Sequence, residues 1–321
     1  MKIASSKTGV MVCGHGSRDP EAISEFELVA SSLKARMPDI AIETGYLEFA
    51  RPIIREGLEK LAGRGVGRIL ALPGMLFAAS HVKNDLPWEV NSFAAKYPGI
   101  EMRFGRELSI EPKLLTAAAD RIAEAEARQH HAVKRDDTLL LVVGRGTNDP
   151  DANSNIAKIA RMLWEGMGFG WAETAFSGVA NPLVEPGLRR VAMMGFRRII
   201  VFPYFLFTGV LVKRIYAAVD RVAADHPEIE FVKATYLRDH PMVLDCFADR
   251  VAEMADGEPA MNCRLCKYRA QIVGYETAVG AVQEGHHHHV RGIGTDLDHH
   301  HEHGHDHSHA HHHPHGKNGA S

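Results

Sequence analysis

The heptapeptide GHGSRDP at residues 14–20 returns as GRGTNDP at residues 144–150. Each follows a short apolar run, GVMVC (9–13) in the first case and LLLVV (139–143) in the second. One constant offset relates the two. It carries Gly14, Gly16, Asp19 and Pro20 onto Gly144, Gly146, Asp149 and Pro150, then Pro52 and Gly57 onto Pro182 and Gly187. Without a gap it carries Pro73, Leu76, Phe77, Val82 and Lys83 onto Pro203, Leu206, Phe207, Val212 and Lys213. A one-residue slip then sets YPGIEMRF (97–104) against HPEIEFVK (226–233). Such self-similarity marks a duplication, so any fold proposed for one half must also suit the other.

The first half alternates between two periodicities. Apolar runs and turn signals predict strands at 9–14, 40–47, 67–76 and 100–105, with helices at 20–37, 52–63, 80–96 and 110–128. GVMVC and RILALPGML are short and nearly all apolar, as strands buried on both faces are. PEAISEFELVASSLKARM spaces Ile23, Phe26, Val29, Ala30 and Leu33 along one helical face, with Pro20 in the first turn. Regular βαβ alternation predicts an α/β fold with a doubly wound parallel sheet in each half. The expected organisation is two tandem domains related by internal duplication, at 8–128 and 137–255, joined by the polar EARQHHAVKRDD (126–137). From 256 to 321 the composition shifts to a tail with a CxxC and then a histidine-rich stretch, which its low hydrophobicity predicts to be disordered.

In open α/β sheets, ligands bind beyond the carboxyl ends of the strands. His15, Ser17, Arg18 and Asp19 follow the first strand, Glu48 the second and His81 the third. Two imidazoles and a carboxylate on one sheet edge form a set suited to a first-row divalent metal, and to proton transfer near neutral pH. The repeat sharpens this. The offset turns His15 into Arg145, Glu48 into Gly178 and His81 into Leu211. Residues that build the fold are needed in both copies, whereas residues sharing one task can vanish as a set. A lone loop histidine is more often simply solvated, and Glu48 by itself could pair with Arg51 or Arg55. Asp19 and Asp149 persist in both copies, which favours a structural role capping the next helix. GHGSRDP precedes a helix, yet it lacks both the GxGxxG and the GxxxxGK[ST] patterns of nucleotide loops.

Composition limits the remaining options. A net charge of −3 gives no reason to expect nucleic acid. No stretch approaches the roughly 18 apolar residues of a membrane span, and the first residues do not read as a signal peptide, so a cytoplasmic protein is expected. Four cysteines do not make a disulfide scaffold. Cys13 and Cys246 are expected in the core. Cys263 and Cys266 form the CxxC of MNCRLCKYR, too few for a four-cysteine site in one chain, which leaves a shared iron–sulfur or metal site, a redox pair, or no role. Residues 286–315 hold fifteen histidines interleaved with Asp, Glu and Gly, a composition for storing or delivering Co²⁺ or Ni²⁺.

Three motifs in order, GHGSRDP, YLEFARP and LFAASHVKNDLP, together with the CxxC and histidine-rich tail, resemble the sirohydrochlorin cobaltochelatases, specifically the long two-domain CbiX type of class II chelatase. The resemblance covers 8–255 and extends to the tail. It implies insertion of Co²⁺, as substrate metal, into sirohydrochlorin for cobalamin synthesis. His15 and His81 match the metal-binding histidines, His15 also the proposed proton acceptor, and Glu48 the acidic residue at the tetrapyrrole. Leu76, Phe77, Ala78, Ala79 and Ser80 match the loop against the substrate. The second half lacks the histidines, which puts a second active site in doubt. It is expected to act as a lid or wall, with Arg145 gripping substrate carboxylates and Arg18, Arg51, Arg55, Lys83 and Lys213 near the same rim. The implied partners are sirohydrochlorin and a divalent metal ion; oligomeric state is left open. Insertion of Fe²⁺ or Ni²⁺ is the alternative within the enzyme class, and a metal-storage or metallochaperone protein the alternative outside it.

Overall fold

The computed structural model describes residues 8–257; Cys263, Cys266 and the histidine-rich stretch lie outside them. Strands β1 (Thr8–Gly14), β2 (Ala41–Tyr46), β3 (Arg68–Pro73) and β4 (Glu101–Phe104) form one parallel sheet in the order β2-β1-β3-β4. Strands β5 (Thr138–Gly144), β6 (Trp171–Phe176), β7 (Arg198–Pro203) and β8 (Glu230–Lys233) form a second in the order β6-β5-β7-β8. The register repeats with the sequence: Gly14 pairs Tyr46 and Gly144 pairs Phe176.

Among the described residues, eight α-helices complete the fold: α1 (Pro20–Arg36), α2 (Ile54–Gly63), α3 (Leu86–Lys96), α4 (Pro112–Ala127), α5 (Pro150–Met167), α6 (Val184–Ala192), α7 (Val210–Asp225) and α8 (Pro241–Asp256). Side chains alternate across each strand, so each sheet feeds two cores. Met11, Cys13, Ile69 and Ala71 pack outward with residues of α2 and α3. Leu139, Leu141, Val143 and Val201 do the same with α6 and α7. Val10, Val12 and Leu72 of the first sheet and Leu140, Val142 and Phe202 of the second belong to one central core shared by both halves.

The last helix of each half crosses to the other. α8 packs on β3 and α1 of the first half, and α4 packs on β8 and α5 of the second. Their apolar faces, Leu114, Ala118 and Ile122 on α4 and Val243, Phe247 and Val251 on α8, enter the central core together. Buried Arg250 of α8 seals the exchange, donating to the carbonyls of Glu107 at 3.0 Å and Leu108 at 2.6 Å and pairing with Glu111. Sequence periodicity predicts these helices but not which sheet each one covers.

A second departure lies at the helix expected over 80–96. His81–Asp85 form a π-helical turn before α3 begins at Leu86. The Leu86 N–H reaches back to the His81 carbonyl, one residue further than in an α-helix. Pro87 offers no N–H to continue a regular ladder, and the preceding turn widens to accommodate it. The equivalent segment of the second half, without that proline, is plain α-helix in α7. Cys13 and Cys246 are buried as expected, and burial pushes the Cys246 thiol up to about 11. Among the described residues, no helix is long and apolar enough to cross a membrane.

Candidate active site

Two local devices bring the three strand-end loops together. Gly16 adopts a φ of +97° directly under the β2–α2 loop, where a Cβ would lie 1.7 Å from the Glu48 carbonyl oxygen. Only glycine allows that approach, and through it the Glu48 N–H donates to the His15 carbonyl at 3.0 Å. Gly146 makes the same approach to Gly178 in the second half, at 1.8 Å for an imagined Cβ. The turn is therefore common to both copies, while the side chains it presents differ.

His15, Glu48 and His81 each offer a ligand atom within 4.8 Å of the others. His15 Nδ1–H donates to the Gly16 carbonyl at 3.0 Å, which leaves Nε2 with its lone pair aimed into the site. Glu48 Oε1 lies 3.2 Å from that Nε2. The His81 ring sits edge-on to His15 with centroids 4.8 Å apart. Burial, then the charges of His81 and Arg145, pushes His15 down to about 4, so its imidazole is neutral at physiological pH. Burial raises the Glu48 carboxyl, against the opposing pull of His81 and Arg145, and so makes it a stronger base.

Asp85 plays a part that the sequence reading missed. Its Oδ2 accepts from His81 Nδ1 at 2.8 Å, and its Oδ1 takes a bond from Asn84 Nδ2 at 2.9 Å. Asp85 is buried, so the contact holds the His81 ring and turns Nε2 towards the other two candidate ligands. The signal was present: Asp85 stands four residues after His81, and the offset turns it into Ile215.

The site opens into a cleft of about 710 Å³ between the halves. Its walls are mainly aromatic and aliphatic. Phe26 meets Phe207 edge-on at 5.6 Å, and Phe77 stacks on Tyr204 at 5.9 Å, each pair joining one half to the other. Leu76, Phe77 and Ala79 line the cleft as expected of that loop. Ala78 instead turns into the outer core, and Ser80 is exposed outside the lining.

The cations expected at the rim divide into two groups. Arg18 and Arg145 line the cleft, Arg18 with its Cζ 4.6 Å from the centre of the Phe49 ring, and Arg214, which was not among those expected, lines it too. Arg145 reaches further in, its Nη2 3.4 Å from His15 Nε2. The others are engaged elsewhere. Arg51 pairs with Glu56, and Arg55 lies 3.8 Å from Glu89, so neither is Glu48's partner here. Lys83 bonds Asp149 at 2.6 Å and Asp151 at 3.1 Å, and Lys213 bonds Asp19 at 2.8 Å and Glu21 at 2.9 Å. Each aspartate also caps the helix that follows it, Asp19 through the Glu21 N–H and Asp149 through the Asp151 N–H. The conserved pairs of the repeat thus lock one half onto the other, reciprocally.

Comparison with known proteins places the chain in a family. The CbiX family model matches residues 9–125 and again 139–254. The chain belongs to the CbiX family. It is 36% identical to the sirohydrochlorin cobaltochelatase of Priestia megaterium over 264 residues, 82% of this chain and 85% of that one. It is 29% identical to the sirohydrochlorin ferrochelatase of the same organism over 229 residues, 71% of this chain and 83% of that one. Among solved structures it is similar to the sirohydrochlorin chelatase SirB from Bacillus subtilis subspecies spizizenii in complex with cobalt, with a TM-score of 0.65, 27% identity, and 78% and 96% of the two chains covered.

Proposed function

We propose that this CbiX-family protein inserts a divalent metal ion into sirohydrochlorin, with Co²⁺ as the metal and cobalamin synthesis as the purpose. The observation that carries the reading is the set of His15, Glu48 and His81 ligand atoms within 4.8 Å at the edge of an apolar cleft. About 710 Å³ is within the range of small-molecule sites, and flat aromatic walls suit a macrocycle.

Insertion exchanges two ring N–H protons for one metal ion. Neutral His15 and its neighbour His81 bind a first-row divalent ion through Nε2, yet release it to a four-nitrogen ring that holds it better. Three protein ligands leave coordination positions open towards the ring. Glu48, made more basic by burial, takes one ring proton. His15 takes the other once the ion has moved and its lone pair is free. Leu76, Phe77 and Ala79 hold one face of the ring, while Arg18, Arg145 and Arg214 sit where they meet its carboxylates. Arg145→Ala should therefore raise KM for the tetrapyrrole.

The choice of cobalt rests on the higher identity to the relative named a cobaltochelatase. Iron is the second reading, since a relative named a ferrochelatase also aligns over most of the chain. The test is the absorbance change of sirohydrochlorin under anaerobic conditions with Co²⁺, Fe²⁺ or Ni²⁺, using wild type and His15→Ala. Fastest conversion with Co²⁺, lost in His15→Ala, is expected. Faster conversion with Fe²⁺ selects the second reading, and no rate above the spontaneous one for any metal overturns both. For the tail we keep the narrower proposals that the histidines of 286–315 gather metal and that Cys263 and Cys266 hold a metal or cluster.

A further inference from the structure

The reciprocal contacts between the halves define an approximate two-fold axis. Lys83 of the first half holds Asp149 of the second, and Lys213 of the second holds Asp19 of the first. α8 lies on the first sheet and α4 on the second. In a two-fold arrangement, equivalent residues near the axis meet each other. His15 and Arg145 are equivalent positions of the repeat, and they do meet, at 3.4 Å.

The chemistry of that meeting is specific. With Nδ1–H committed to the Gly16 carbonyl, His15 Nε2 carries a lone pair. Glu48 Oε1, another acceptor, faces it at 3.2 Å. Two acceptors so close repel unless a proton or cation serves both. Arg145 Nη2 donates to Nε2, and its charge acts on Glu48. Its side chain is exposed and enters from the opposite half, so it can withdraw without disturbing the three ligands.

We infer that Arg145 is a stand-in cation for the metal site: it occupies the lone pair of His15 in the unloaded protein and must be displaced when the metal ion enters. The second half thereby sets the affinity of the first half's site. A metal ion bound by three fixed protein ligands would be retained; one that competes with a tethered guanidinium is bound more weakly and released more readily. This inference rests on the metal-insertion reading of the site, and it adds a role that needs no tetrapyrrole to be observed.

The test is anaerobic titration of the full chain with Co²⁺ alone, read by its visible d–d absorption. Equivalents that persist in His81→Ala belong to other histidines, so the site is the equivalent lost in that variant. Arg145→Gln should bind that equivalent about tenfold more tightly, the scale of one nearby charge in partly screened surroundings. Arg18→Gln removes a positive charge from the same cleft without touching His15, and it should shift the affinity less than about twofold. Unchanged affinity in Arg145→Gln overturns the inference, as does equal tightening in both variants, which would reflect only the general field of the cleft. If His81→Ala loses no equivalent at all, the metal-insertion reading fails first and takes this inference with it.

Discussion

The two halves have the same sheet order, the same glycine turn and the same aspartate cap, yet they present opposite chemistry to the cleft. The first half offers His15, Glu48 and His81, backed by Asp85. The second offers Arg145 and Leu211 to the cleft, with Gly178 at the position of Glu48 and Ile215, buried in the outer core, at that of Asp85. The difference extends beneath the side chains, since the first half widens a turn at His81–Asp85 where the second runs a regular helix. The repeat keeps in both copies what holds the chain in shape and keeps in one copy the residues of the proposed metal site. The other copy forms the opposite wall of the cleft, with Tyr204 and Phe207 against Phe77 and Phe26.

That comparison can be broken by paired substitutions. The largest contrast is expected between His81→Ala and Leu211→Ala. The first should lower the chelation rate by at least about a hundredfold, because it removes a proposed metal ligand. The second removes wall area only and should change kcat less than about threefold. Comparable losses in initial-rate assays would mean that the second half also takes part in the chemistry.

Asp85→Asn comes next. An amide can present N–H₂ to His81 Nδ1 and reverse the tautomer, so kcat and Co²⁺ affinity should fall together by about ten- to a hundredfold. Far-ultraviolet circular dichroism should stay as in wild type. A loss of rate with unaltered metal affinity would remove Asp85 from its positioning role.

The reciprocal lysines are equal in sequence but not in burial. Lys83 is 11% exposed over an aspartate that is 3% exposed, whereas Lys213 is 55% exposed. Lys83→Met leaves a buried carboxylate unpaired and should cost about 3 kcal/mol, and Lys213→Met about 1 kcal/mol or less. Urea midpoints measure both. Equal costs would show that the two ties are as symmetric in energy as in sequence.

The last contrast is a pH slope. His15 is lowered from 6.5 to about 4 in the folded chain. As pH falls below 6.5 the unfolded chain takes up this proton and the folded one does not, so stability present above 6.5 is lost on the way down to 4. Metal-free His15→Gln lacks this contribution and should show a shallower fall in Tm over that window. The second half has no histidine at the equivalent position and should contribute no such slope. An unaltered slope in the variant would mean that His15 titrates as an exposed imidazole.

Much of the site was legible because its parts are local. A residue just after a parallel strand is placed by the strand, and the repeat supplied a control within one chain for which of those residues matter. On that logic Asp19 and Asp149 were correctly read as caps. Asp85 is less legible because it lies in a helical turn and not in a strand-end loop, although its spacing from His81 and its loss at Ile215 carry the same signal. Lys83 and Lys213 were read as rim cations because persistence in both copies does not say where a partner lies.

The sequence by itself determined the period, the order of strands and helices, and the three loops that share an edge, since each depends on a few neighbouring residues. Only the tertiary structure decided what crosses between the halves. An apolar helix face is satisfied by either sheet, so α4 and α8 could each have stayed at home; packing on the shared core sent them across. That crossing sets the halves face to face around a near two-fold axis, and so brings Arg145 onto His15.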